Sequence, residues 1–152
     1  MDVGIYALQA TRYLSGEEPI TVSAASSVTD PVKFKDIEES ITWQLKFPSG
    51  VIAKCSSTYG FNGMDNFTAY AEQGWWQLDP AYIYDGIQGR RSDGMEIALD
   101  NIDQFAVEMD DFANCILTNQ PTRVPGEEGL RDIKIMMAIY ESARTGQTVN
   151  LT

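Results

Sequence analysis

Histidine is absent from the 152 residues, and cysteine occurs only at Cys55 and Cys115. Without imidazole, the Ser-His-Asp and Cys-His arrangements of hydrolases and the common histidine metal sites are excluded, so no metal is expected. The two cysteines lack the density and spacing of a disulfide framework, and reduced thiols are the expectation. Basic residues are scarce as well: 11 Lys and Arg stand against 22 Asp and Glu, a net charge of -11 at pH 7. Such a chain is repelled by phosphate backbones and anionic bilayers, so neither nucleic acid nor membrane is an expected partner. No apolar run approaches the roughly 20 residues of a membrane-spanning helix, and no basic segment leading into an apolar stretch opens the chain. Low cysteine usage makes the cytoplasm the default location, although a fragment would not show a signal segment. Internal repeats and low-complexity tracts are also missing.

What is present is a chain with 43% hydrophobic residues, enough to close the core of one globular domain. It enters a helix almost at once, which suggests a piece of something longer. In that opening segment Asp2 is the expected N-cap and Gly16 the stop. Tyr6, Ala10, Tyr13 and Leu14, widened by Ala7 and Leu8, form the expected apolar stripe. Asp2 and Tyr6 are four apart, which places a carboxylate and a phenol on one helix face, one turn apart. This is the only compact arrangement suited to proton chemistry. By pattern alone, a cap and a core aromatic are the commoner roles, and Gln9 and Arg12 read as solvated side chains.

Alternation from Ile20 to Ser26 predicts a strand, and the charged, proline-containing stretch from Asp30 to Glu39 a solvent-facing loop. The clearest strand runs from Ser40 to Phe47, with Ile41, Trp43, Leu45 and Phe47 on one face. Phe47-Pro48-Ser49-Gly50 turns it into a second strand from Val51 to Thr58. After a loop around Asn62-Gly63, another hairpin is expected at Phe67 to Glu72 and Trp75 to Asp79, turning at Gln73-Gly74. Tyr82 to Tyr84 and Met95 to Leu99 are further candidate strands. From Asp103, an N-cap candidate, the period becomes helical, with Phe105, Ala106, Met109, Phe112, Ala113, Ile116 and Leu117 inward. Pro121 and Pro125 bracket a linker. A last helix follows with Leu130, Ile133, Met136, Met137 and Tyr140 inward, and Val149 and Leu151 suit an edge strand.

This order predicts an α+β fold: an open, largely antiparallel (mixed) sheet with helices on one face, the other face available for subunit association. Trp43 and Phe47 together with Tyr70 and Trp76 are expected to put aromatics on both faces of one sheet. The uncovered face would then be buried against a partner.

Asp2-Val3-Gly4-Ile5-Tyr6, Arg12-Tyr13-Leu14 and Gly16-Glu17-Glu18-Pro19 resemble the opening of the C-terminal domain in the glucose-fructose oxidoreductase / inositol dehydrogenase / rhizopine-catabolism (Gfo/Idh/MocA) family. Phe105 to Phe112, Val124 to Leu130 and Ile139 to Ala143 resemble its two late helices, so the likeness spans nearly the whole chain. Tyr6, where many members carry histidine, is similar to the residue in glucose-fructose oxidoreductase, sugar dehydrogenases and dihydrodiol dehydrogenase. The resemblance implies that residues 1–152 are a single C-terminal substrate-binding and oligomerisation domain. It further implies an N-terminal Rossmann domain, absent from this chain, that binds NAD or NADP. No glycine-rich fingerprint precedes a helix here, and none of the five lysines is followed by proline as in the family's Glu-Lys-Pro motif.

By the same resemblance, the whole protein is a dehydrogenase acting on a sugar or related polyol by hydride transfer. Tyr6 is implied in proton transfer and Asp2 in orienting, with a homodimer or higher homo-oligomer formed through the sheet face. A phenol with an ordinary pKa near ~10 needs a cation nearby to act close to neutrality, and the lysine lies in the missing domain. Arg12 is expected to be structural. The alternative is a stand-alone, non-catalytic binding or dimerisation module that uses the open sheet face.

Overall fold

The computed structural model describes residues 2–151. In chain order they form α1 (Gly4–Ser15), β1 (Thr21–Ser27), β2 (Ser40–Lys46), β3 (Ile52–Thr58), β4 (Phe67–Ala71), β5 (Gly74–Leu78), β6 (Gln88–Arg91), β7 (Glu96–Ala98), α2 (Gln104–Thr118), α3 (Gly126–Thr145) and β8 (Val149–Asn150). The chain folds as two compact units, one from residues up to Asn62 and from Gly126 onward, the other from residues 63–125. Each holds an open four-stranded antiparallel sheet, ordered β3-β2-β1-β8 in the first and β4-β5-β6-β7 in the second. The architecture is α+β, as expected.

In the first unit β2 sets the register. Its alternation places Ile41, Trp43 and Leu45 on the buried face and Thr42, Gln44 and Lys46 outside. Trp43 lies opposite Ala24 of β1 and Cys55 of β3. The chain reverses after Phe47 through Gly50, whose φ of 91° is open to glycine at no steric cost. Helices α1 and α3 cover one face, and Leu8, Ile135, Ala138 and Ile139 meet Val22, Ile41, Trp43, Leu45 and Phe47 in a single core. Each large apolar side chain so buried contributes about 1.5–3 kcal/mol. The expected last strand is present: Val149 of β8 pairs with Val22.

Both helices turn a different face inward from the one expected. In α1 the buried residues are Gly4, Leu8 and Arg12, while Tyr6, Tyr13 and Leu14 are exposed. In α3 they are Asp132, Ile135, Ala138, Ile139 and Ser142; Met136 and Tyr140 are half-buried, and Leu130, Ile133 and Met137 face out. The reason is polar pairing, which an apolar stripe cannot reveal. Arg12 is not solvated: it is 8% exposed and donates to Asp132 Oδ1 at 2.7 Å, to Glu128 Oε2 at 2.9 Å and to both oxygens of Glu18. Gln9 donates to the second oxygen of Asp132, which is 1% exposed. Ser142 bonds across to the sheet, its hydroxyl accepting from Ala24 N at 2.9 Å and donating to Gln147 O at 2.6 Å.

The loop before β2 is largely exposed but closes on a buried acid. The Glu39 carboxylate accepts from Thr29 N, Thr29 Oγ1 and Asp30 N.

In the second unit the β4–β5 turn sits at Glu72-Gln73, one residue earlier than expected, because Gly74 already pairs with Ala71. Strand β6 has no alternating signal. Its Gly89 lies so close to β5 that a Cβ there would stand 1.9 Å from the Gln77 carbonyl oxygen. Tyr82 to Tyr84 form no strand, and β7 shortens the expected Met95–Leu99 segment. Helix α2 is capped as expected, Asp103 accepting from the Phe105 and Ala106 amides at 3.1 Å. None of its residues is buried, against the inward face expected for Phe105, Met109, Phe112 and Ile116. Helical periodicity identifies the element but not what covers it. The aromatic expectation also fails: Trp43 and Phe47 lie in the helix-covered core of the first unit, whereas Tyr70 and Trp76 belong to the second sheet.

The buried pair generates a stability prediction. Asp132→Ala leaves Arg12 short of a buried counter-charge and should cost about 3 kcal/mol or more in urea unfolding, whereas Arg131→Ala, on the exposed side of the same network, should cost under about 1 kcal/mol.

Acid should act on the same contacts. The Arg12 hydrogen bonds hold the Glu18 carboxyl below its ordinary 4.5, and hydrogen bonds from the Thr29 amide and hydroxyl do the same for Glu39. A carboxyl lowered on folding stabilises the fold above its unfolded pKa, and that contribution is lost as pH falls through the lowered value. Urea midpoints should therefore hold steady down to pH 4.5 and decline below it, and Glu18→Gln should make the decline shallower.

Candidate functional site

The N-terminal end of α1 carries the acid and the phenol singled out in the sequence. The expected Asp2 cap is not formed. Val3 occupies the capping position with helical backbone (φ -82°, ψ -18°), and no side chain caps the helix. Asp2 instead accepts a hydrogen bond on Oδ2 from the Tyr59 hydroxyl at 3.1 Å. Tyr6 stands one turn further along α1 and is 50% exposed, so its ring lies at the surface rather than in the core. Behind it α1 is held rigidly by fully buried Leu8 and by Arg12. A half-exposed phenol is thus held on a fixed helix, with the Asp2 carboxylate just ahead of its first turn.

Three neighbours of this end were not visible in the sequence. Tyr59 follows β3 directly, and Glu38 and Tyr140 come from the loop before β2 and from α3. Tyr140 donates to Glu38 Oε1 at 2.8 Å. Burial first, then the Asp2 carboxylate, pushes the Tyr59 phenol up; burial, then Glu38, does the same for Tyr140. Both remain hydrogen-bond donors at neutral pH. No motif links these residues, since they converge only when sheet and helices pack.

Other groups are ruled out by their surroundings. Burial pushes the Cys55 thiol up to about 12, far from a reactive thiolate. The guanidinium of Arg12 is engaged by three carboxylates. Among the described residues no group of three or more Cys, Asp and Glu is arranged to hold a metal ion.

The nicotinamide dinucleotide that the family implies does not fit this chain's helix termini. A pyrophosphate is bound at a helix N-terminus free of negative charge. Here Asp2 precedes α1, Asp103 caps α2, and Glu127 and Glu128 occupy the first turn of α3. Each of these repels a phosphate.

Two family models together match almost the whole chain. Residues 1–77 match the model of the GFO/IDH/MocA C-terminal domain. Residues 72–151 match that of the oxidoreductase family, C-terminal alpha/beta domain. The chain is 32% identical over 157 aligned residues to a D-xylose 1-dehydrogenase [NADP(+)] of Haloarcula marismortui, covering 99% of this chain and 43% of that protein. A D-xylose 1-dehydrogenase (NADP(+)) of Haloferax volcanii is 27% identical, with 99% and 47% covered. Among solved structures, aldose-aldose oxidoreductase from Caulobacter crescentus, complexed with glycerol, superposes with a TM-score of 0.89 at 39% identity, covering 97% of this chain and 46% of that one. The chain therefore spans a little under half the length of these relatives. Matched by the family's C-terminal-domain models along almost its whole length, the chain belongs to the Gfo/Idh/MocA oxidoreductases.

Proposed function

We propose that this chain is the substrate-side domain of an NAD(P)-dependent oxidoreductase acting on an aldose or related polyol, completed by an N-terminal Rossmann domain. The observation that carries the reading is the Asp2/Tyr6 pair at the start of a clamped helix, with Asp2 released from capping and Tyr6 half-exposed. Tyr6 moves the proton of the reacting hydroxyl, and Asp2 accepts a hydrogen bond from a substrate hydroxyl to fix its orientation. The electron pair is carried by the nicotinamide, whose phosphates are held outside this chain. D-xylose and NADP, named for the two archaeal relatives, are the first substrate and cofactor to assay. The soluble cytoplasm is the compartment that suits nicotinamide-dependent sugar chemistry and reduced thiols.

A second copy on the free sheet face is the companion proposal. Both helices of the first unit lie on one face, and the other exposes Ser23, Ala25, Thr42, Gln44, Lys54 and Ser56. These are small or polar residues, so the contact is hydrogen-bonded and wet rather than the aromatic one foreseen from sequence.

With the chain joined to its nucleotide-binding domain, Tyr6→Phe should lower kcat about a hundredfold or more while leaving the melting temperature within about 2 °C. A variant retaining the wild-type rate would remove Tyr6 from the chemistry. For the second copy, Ala25→Arg should shift the sedimentation coefficient to that of a monomer; a monomeric wild type at high concentration would exclude the association and favour neither face.

A further inference from the structure

We propose that Tyr59 is a positioning residue for the Asp2/Tyr6 site: its hydroxyl tethers one oxygen of the Asp2 carboxylate so that the other is presented to a substrate hydroxyl. The inference rests on the aldose oxidoreductase reading of that site. Asp2 is exposed and does not cap α1, so without another partner its carboxylate would sample several rotamers at the helix mouth. The Tyr59 hydroxyl ends that freedom by donating to Oδ2 at 3.1 Å. An ionised carboxylate has acceptor positions on both oxygens, so engagement of Oδ2 leaves Oδ1 for a second donor.

Tyr59 is itself well placed to act as a fixed tether. Its amide donates to the Glu39 carbonyl at 2.9 Å, and the Glu39 side chain is locked by Thr29 and Asp30. The next residue, Gly60, runs so close to Glu39 that a Cβ there would lie 2.5 Å from its Oε1. The backbone that carries the ring is therefore pinned to the end of β2, and a tyrosine has few torsions left to order. Burial and the adjacent Asp2 charge favour the protonated phenol, which keeps the donor in place. The hydroxyl acts on the substrate only through Asp2.

The test uses the holoenzyme, with the nucleotide-binding domain joined and NADP supplied, on D-xylose, D-glucose and myo-inositol. Tyr59→Phe should raise KM for the sugar about five- to tenfold, the loss expected of a hydrogen bond to a charged group, with KM for NADP and the melting temperature unchanged. Asp2→Asn should show a loss at least as large, and adding Tyr59→Phe to it should cost no more than about twofold further. Unchanged sugar KM in Tyr59→Phe, alongside an impaired Asp2→Asn, overturns the tether alone. So does a Tyr59→Phe loss that is fully additive to that of Asp2→Asn, or one that raises both KM values and lowers the melting temperature together, which marks a structural role. A wild type that turns over none of these sugars, or an Asp2→Asn variant with wild-type kinetics, overturns the underlying reading and the tether with it.

Discussion

The pairing of Arg12 with Asp132 is the constraint on which the first unit depends. Two opposite charges, both almost entirely out of water, join α1 to α3 at 2.7 Å, and Glu18 and Glu128 complete the guanidinium's partners. Desolvating such a pair is costly, so its net contribution to stability is small compared with the damage done by removing either half. Its value is in specificity: the network allows one rotation of α1 about its axis, the one that buries Leu8 and turns Tyr6 outward. An apolar contact in the same place would tolerate slippage. The clamp thus connects a packing problem to the orientation of the Tyr6 phenol one to two turns away.

The same clamp explains which parts of the molecule could be foreseen. Strand β2 was legible because a half-buried strand writes its burial directly into alternation, and Ile41, Trp43 and Leu45 obey it. The caps and stops were legible because they are local: Asp103 reaches amides two and three residues on, and Gly16 closes onto Arg12. The inward faces of α1 and α3 were not, since hydrophobicity assigns Arg12, Asp132 and Ser142 to solvent, and the contacts that turn them inward, Arg12 with Asp132 and Ser142 with Ala24, span more than a hundred residues. Strand β6 escaped notice because Gly89 is selected by the closeness of Gln77, a cross-strand property. For the site, the spacing of Asp2 and Tyr6 was visible, and family resemblance gave it weight. Its misreading as a cap followed from treating a helix start in isolation from Tyr59.

The helix starts share one pattern of charge. Acids at the mouths of all three described helices turn the positive ends of the helix dipoles away from phosphate binding. At α1 the acid accepts a hydrogen bond from the Tyr59 hydroxyl instead. Sugars and polyols are uncharged and densely hydroxylated, so a carboxylate with a free acceptor oxygen suits them where it would reject a phosphorylated ligand. Recognition of an uncharged polyol and recognition of a dinucleotide therefore call for opposite local fields.

Strand β8 is two residues long and covers β1 only at Thr21 and Val22. Beyond it, the flank of β1 would present an unpaired amide at Ala24, which the Ser142 hydroxyl occupies, while Ser23 meets Thr148 through a side-chain hydrogen bond at 2.8 Å. An open flank of this kind is where another polypeptide adds as an extra strand and where aggregation begins. A single serine on α3 thus serves as a side-chain substitute for a missing strand residue: it lets β8 end early without leaving the Ala24 amide unpaired.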